Sequence, residues 1–155
     1  DYVKVIGSGR GGSPAALQGR EHLTTIPSTK IAAADAYKMA GITAKDVDFA
    51  EVHDCFTVAE VVDTEDLGFF EKGKGAQAAR QGETGLNSTV SINPSGGLKS
   101  KGHPIGATGV GQVVEMFEQL TGKSGERTVN DAKIGLTQNF GATGASCAVH
   151  IFQSV

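Results

Sequence analysis

Three side chains in this sequence have the types and settings that do chemistry: His53, Cys55 and His103. The stretch NPSGGLKSKGHPIGATG, residues 93–109, surrounds His103 with glycine and proline. Pro104 fixes the chain directly after the imidazole, while Gly102, Gly106 and Gly109 leave the main chain open to close approach by a substrate. An imidazole so held and left uncovered suits a general base or a hydrogen-bond donor near neutral pH. The tetrapeptide HDCF, residues 53–56, sets a second imidazole and a thiol two residues apart. A thiol just ahead of a helix N-terminus feels its partial positive charge, which favours the thiolate and makes an acid/base or a nucleophile. The same four residues are compatible with ordinary burial, because cysteines pack well and histidines often fill or cap.

Other motifs lead elsewhere. Gly7, Gly9 and Gly12 in GSGRGG satisfy G-x-G-x-x-G, but Ser13, Pro14 and Gly19 interrupt the helix that should follow at once. An acidic residue closing a second strand is also missing, so dinucleotide binding is not expected. No phosphate-binding G-x-x-x-x-G-K-[ST] loop occurs. His53, Cys55 and His103 match no zinc spacing and lack a fourth ligand, so no metal is expected. Cys147 falls inside the last strand and reads as a buried filler, while His22 and His150 read as surface or structural.

The elements that must position these residues alternate. Tyr2 to Ile6 reads as a strand ending at Gly7, followed by a glycine-rich loop. Thr29 to Ala40 reads as a helix capped by Ser28 and stopped by Gly41, with Ile31, Ala34 and Tyr37 on its apolar stripe. Residues 48–54 read as a short strand, 57–68 as a helix, 76–80 as a helical turn and 89–92 as a third strand. A helix from about Thr108 to Leu120 carries Val110, Val113, Val114, Phe117 and Leu120 on its expected buried side. Ala132 to Phe140 and Ala145 to Phe152 make an antiparallel hairpin around GATG. The order β-α-β-α-β-α-β-β predicts an α/β domain: a mixed, mostly parallel five-stranded sheet with helices on its faces, closed by one antiparallel edge strand. Functional groups collect beyond the carboxyl ends of such strands, so His53 to Phe56, Asn93 to His103 and Asn139 to Gly144 should converge.

Composition bounds the possibilities. The 155 residues, 39% hydrophobic, suit one domain spanning 1–155. A net charge of −3 gives no basic excess for nucleic acid. No apolar run approaches the ~20 residues of a membrane span. Two cysteines in dissimilar segments, with no signal peptide, read as a reducing, cytoplasmic setting.

On these residues the chain resembles the C-terminal half of a thiolase. NPSGGLKSKGHPIGATG is close to that family's Asn-x-x-Gly-Gly…Gly-His-Pro signature, and HDCF in place of Asn-Glu-Ala-Phe resembles the sterol-carrier-protein type. The resemblance implies an acetyl-CoA acetyltransferase of lipid metabolism, performing Claisen condensation or cleavage of a 3-ketoacyl-CoA, with acyl-CoA and CoA as substrates and no further cofactor. It implies that His103 activates a nucleophilic cysteine and helps hold a thioester oxygen, and that His53 completes that oxyanion site. Where the family has Cys-x-Gly this chain has NFG, Asn139 to Gly141. Cys55 then inherits the acid/base role, and Asn139, Gly141, Gly102 and Gly106 serve oxyanion and substrate binding. The family's nucleophile lies in an N-terminal half that this sequence does not supply, so the resemblance implies an N-terminal thiolase domain or subunit as partner, an inactive isolated chain, and a homo-oligomer. A ketoacyl-synthase-type condensing enzyme shares the fold but not the HDCF thiol. A non-catalytic acyl-CoA-binding module would keep the pocket alone.

Overall fold

The computed structural model describes residues 2–155. Its centre is one mixed five-stranded sheet in the order β1-β5-β4-β2-β3, formed by β1 (Val3–Gly12), β2 (Phe49–Glu51), β3 (Ser91–Ile92), β4 (Ile134–Gly141) and β5 (Ser146–Ser154). β2 runs parallel to β3 and β4, while β5 is antiparallel to both β4 and β1. The four strands other than β5 therefore share one direction. The antiparallel strand is not at the edge, as the sequence pattern predicts, but between β4 and β1. The hairpin sets β5 beside β4, and β1 then pairs along β5's free side from Val3↔Ser154 to Gly12↔Ser146.

That pairing corrects the reading of GSGRGG as a loop, because the glycines belong to β1. The helix α1 (Pro27–Ala40) lies so close on this strand that a Cβ at Gly7, Gly9 or Gly11 would come within 2.5, 2.0 and 2.0 Å of the carbonyl oxygens of Ala36, Ala32 and Ser28. The glycines make a flat bed for a helix backbone. α1 correspondingly buries its small residues Ser28, Thr29, Ala32, Ala33 and Ala36, leaving Ile31 and Met39 exposed. Ser28 is not the cap: its hydroxyl donates to the Gly144 carbonyl at 2.7 Å, and Ile26 holds the capping position. Gly41 ends the helix as expected.

The face under α1 carries the larger core, with Ala50, Val52, Leu136, Val149 and Ile151 packed against Ala32 and Ala36. α2 (Thr57–Asp66) and the short α3 (Gly75–Arg80) complete this side. The opposite face carries a smaller core of Phe49, Met116, Leu120, Val129 and Phe152 beneath α5 (Thr108–Leu120). A five-residue helix, α4 (Gly97–Lys101), was not apparent from sequence.

α5 is rotated away from its predicted orientation. It buries Thr108, Gln112, Glu115, Met116, Gln119 and Leu120, while Val110 is 66% exposed, Val114 50%, Val113 42% and Phe117 38%. The buried polar residues are paired. Gln119 Nε2 donates to Glu115 Oε1 at 2.9 Å and to the Arg127 carbonyl at 2.8 Å, and Arg127 Nη1 lies 2.9 Å from Glu115 Oε1. With its polar side satisfied inward, α5 turns its apolar stripe outward. No helix among the described residues is long and apolar enough to cross a membrane.

Candidate active site

The site begins where β2 stops. Asp54, buried and two residues past Val52, accepts the Leu98 N–H at 2.7 Å on Oδ1 and the Lys99 N–H at 3.3 Å on Oδ2. These are early backbone donors of α4, so the carboxylate between His53 and Cys55 caps the helix that leads to His103. Gly97 makes room for it: a Cβ there would sit 2.4 Å from Asp54 Oδ2, and its φ is +63°.

The Asn-x-x-Gly-Gly segment is tied to β2 by the same logic. Asn93 Oδ1 accepts the Val52 N–H at 2.8 Å, and its Nδ2 donates to Glu60 Oε2 at 2.9 Å. Buried Glu51 accepts from the Ser95 N–H at 3.0 Å and the Ser95 hydroxyl at 2.6 Å, with Lys101 Nζ at 3.2 Å. Burial pushes the Glu51 carboxyl up, opposed by Ser95 and Lys101. The chain from Asn93 to Lys101 is thus stapled to the strand that ends in HDCF.

His53, Cys55, His103, Asn139 and Gly141 line one open cavity of about 870 Å³, together with Phe56, Ile105, Val110 and Val113. The His53 and His103 rings meet edge to face, with centroids 4.8 Å apart at 88°, and Phe140 packs 4.4 Å from His53 on another side. Thr108 Oγ1 lies 2.7 Å from His103 Nδ1 and donates to the Pro104 carbonyl at 3.3 Å. The hydroxyl engages Nδ1 and leaves Nε2 for a reactant. His53 hangs on its backbone N–H, which donates to Gln138 Oε1 at 2.9 Å; its Nδ1 is buried without a hydrogen-bond partner. Burial and then the neighbouring His103 charge lower the His53 pKa, opposed by Asn139 and Asp54.

The electrostatics of Cys55 reverse the sequence expectation. Burial pushes its thiol up, the backbone N–H groups of Phe56 and Cys55 oppose this, and the Asp63 and Asp54 charges add to the rise. Cys55 sits before the helix, at the residue preceding the Phe56 N-cap. Desolvation and two carboxyl neighbours therefore outweigh the helix end, and the resting group is a thiol. Cys147 is buried in β5 beside Thr29 and pushed up to about 11.

Gly102 and Gly106 lie in the turn around His103 and are not part of the cavity wall, where Gly109 stands instead. A Cβ at Gly102 or Gly106 would meet nothing within 4 Å. Sequence reasoning missed Thr108, Phe140, Gln112, Arg10 and His150. The first three touch the imidazole rings or the strand ends beside them. Arg10 and His150 line the cavity from β1 and β5, with His150 Nδ1 3.0 Å from Ser8 Oγ. Their signal was strand alternation, since Ser8 and Arg10 face away from the glycines that receive α1. Among the described residues, no three histidine, cysteine, aspartate or glutamate side chains gather as a metal would require.

The pattern described as Thiolase C-terminal domain-like matches residues 9–154. The acetyl-CoA acetyltransferase of Methanothermobacter thermautotrophicus strain Delta H is 48% identical over 151 residues, covering 97% of this chain and 39% of that protein. Human sterol carrier protein 2 is 44% identical over 117 residues, 76% of this chain and 21% of that protein. The chain thus spans about two fifths of the length of its acetyltransferase relatives. Among solved structures, the Ltp2-ChsH2(DUF35) aldolase superposes with a TM-score of 0.88 at 20% identity, over 98% of this chain and 39% of that one. A monomeric SCP2-thiolase-like protein from Mycobacterium smegmatis gives 0.65 at 18% identity, over 99% of this chain and 29% of that one. The chain belongs to the thiolase C-terminal domain-like family.

Proposed function

We propose that this chain is the C-terminal catalytic half of an acetyl-CoA acetyltransferase, acting on 3-ketoacyl-CoA by thiolytic cleavage or forming it by Claisen condensation. The observation that carries the reading is the meeting of His103, His53 and Cys55 at one cavity beside the Asn139 to Gly141 turn. His103, fixed through Nδ1 by Thr108, takes the proton of a nucleophilic cysteine contributed by an N-terminal domain or subunit. That sulfur attacks the acyl carbonyl, and the acyl group leaves its previous carrier for the cysteine. His103, carrying the proton it has taken, donates toward one thioester oxygen beside the His53 ring, and the Gly141 N–H with the Asn139 amide toward the other, where negative charge develops. Gly102 and Gly106 shape the turn that presents His103.

Cys55 moves the α-proton. In cleavage, its neutral thiol protonates the carbanion of departing acetyl-CoA. In condensation, its thiolate removes that proton from incoming acetyl-CoA. The raised thiol pKa suits the first direction at rest and makes the second rise with pH until Cys55 ionises. Acyl-CoA and CoA are the substrates, and the chemistry calls for no further cofactor or metal. The outward apolar stripe of α5, with Ile105 and Phe56, supplies the surface on which the N-terminal half docks and homo-oligomers build. The two free thiols suit a reducing, cytoplasmic setting.

The test is cleavage of acetoacetyl-CoA with CoA by the chain combined with the N-terminal thiolase half. Two acetyl-CoA per acetoacetyl-CoA are expected. Binding of acyl-CoA without cleavage of any 3-ketoacyl-CoA would overturn the reading in favour of a non-catalytic module.

A further inference from the structure

Two fully buried glutamines hold the reactive end of the sheet together. The β2–β4 ladder ends at Glu51↔Thr137, short of His53 and Asn139. From the α1 side, Gln138 Oε1 accepts the His53 N–H at 2.9 Å, and its Nε2 donates to Thr29 Oγ1 at 3.0 Å and Asp63 Oδ1 at 2.8 Å. From the α5 side, Gln112 Nε2 donates to the carbonyls of Glu51 at 3.2 Å and Gln138 at 3.0 Å. Gln112 Oε1 is left as an acceptor, and it receives Asn139 Nδ2 at 3.3 Å.

We infer that Gln112 is a positioning residue of the site: it fixes which way the Asn139 amide faces, and through that amide the protonation geometry of the His53 ring. The orientation follows from the donors and acceptors present. Two backbone carbonyls can only accept, so Gln112 must present its NH₂ to them and its oxygen to Asn139. Asn139 must then present NH₂ to Gln112, which leaves Oδ1 as the group available to the imidazole. Gly109 keeps the passage clear, since a Cβ there would press to 3.3 Å from Asn139 Nδ2. An amide oxygen at the ring favours the tautomer that donates toward it. This agrees with the upward influence of Asn139 on His53. The other charged groups facing His53 are His103, which acts downward, and Asp54, which acts upward. Any role for the ring in the acyl transfer rests on the function proposed above; the orientation itself does not.

The experiment reads the ring directly, by ¹⁵N chemical shifts of labelled imidazoles in the purified protein. His53 is expected as one neutral tautomer. Gln112→Met keeps the volume but removes the donors and the acceptor, so Asn139 is free to rotate. His53 should then become a mixture of tautomers, with its pKa lower than in the wild type. Adding Asn139→Asp, which shows an oxygen to the ring in either rotamer, should restore a single tautomer. A Gln112→Met protein that melts earlier but keeps the wild-type His53 tautomer and pKa would reduce Gln112 to a structural residue and overturn the inference. Where that variant does not fold, the wild-type spectrum decides: one tautomer supports the inference and a mixture overturns it. None of these readings needs turnover, so a chain that cleaves no 3-ketoacyl-CoA when combined with an N-terminal thiolase half would refute the proposed function and leave this inference standing.

Discussion

Replacing Asp54 by alanine should loosen the helix that carries His103 without touching the imidazole. The carboxylate is buried and accepts two α4 backbone N–H groups, at 2.7 and 3.3 Å. Losing a capping side chain costs about 1 kcal/mol, and leaving a buried donor unpaired about 1–3 kcal/mol. The Leu98 bond is short and buried, whereas the Lys99 bond is long and part-buried. The first should dominate, giving a loss of about 2–4 kcal/mol. With a urea m-value of about 2 kcal/mol/M, the unfolding midpoint should fall by roughly 1–2 M. Asp54→Asn keeps one acceptor and should lose about half as much. Amide hydrogen exchange provides the local readout: Leu98 and Lys99 should lose protection first, and β4 should lose least. A stability within about 0.5 kcal/mol of wild type, or an undisturbed Leu98 amide, would refute the capping argument.

Gly9→Ala should destabilise by about 3 kcal/mol or more, because its Cβ would stand 2.0 Å from the Ala32 carbonyl oxygen, whereas Gly12→Ala, with nothing nearer than 3.9 Å, should be neutral by urea denaturation. Buried Asp63 has its pKa raised well above the usual carboxylate range, by burial first and the Asp66 charge second. The native state therefore holds a proton that the unfolded chain has released, and this contribution to stability falls as pH rises from the ordinary carboxylate pKa through the folded one. Asp63→Asn should gain on wild type by up to about 1.4 kcal/mol per pH unit across that window, and a stability gap independent of pH would contradict it. Val113→Glu, on the outward stripe of α5, should change the stability of this chain by less than about 0.5 kcal/mol while weakening its binding to the proposed N-terminal half at least about tenfold in a titration. A stability loss above about 2 kcal/mol would mean that the stripe is core.

The alternation of elements and the convergence of the motifs were legible because they rest on local periodicity and on glycine placement. The orientation of α5 was not. Hydropathy assigns Val110, Val113, Val114 and Phe117 inward, and only the partners of Gln112, Glu115 and Gln119, distant in sequence, reveal the inversion. The position of β5 was missed because a hairpin specifies a neighbour and not what pairs on its other side. α4 has five residues and takes its cap from Asp54, more than 40 positions away, so no local signal marks it. The shared position of the histidines and Cys55 at one cavity followed from their settings, whereas the direction of the Cys55 shift depended first on burial and then on the Asp63 charge, which only the fold supplies.

The most direct test of the account separates the two halves of the reaction in the chain reconstituted with its N-terminal half. Under the proposed function, acylation by an acyl-CoA needs His103 but no base at the α-carbon, whereas condensation needs both. Burst acylation followed by mass spectrometry, set beside steady-state condensation, should show Cys55→Ala acylating near the wild-type level while condensing about 10²–10⁴-fold more slowly, and His103→Ala impaired in both steps. A Cys55→Ala protein that cannot be acylated, yet condenses normally once acylated chemically, would contradict the assignment of the α-proton to Cys55.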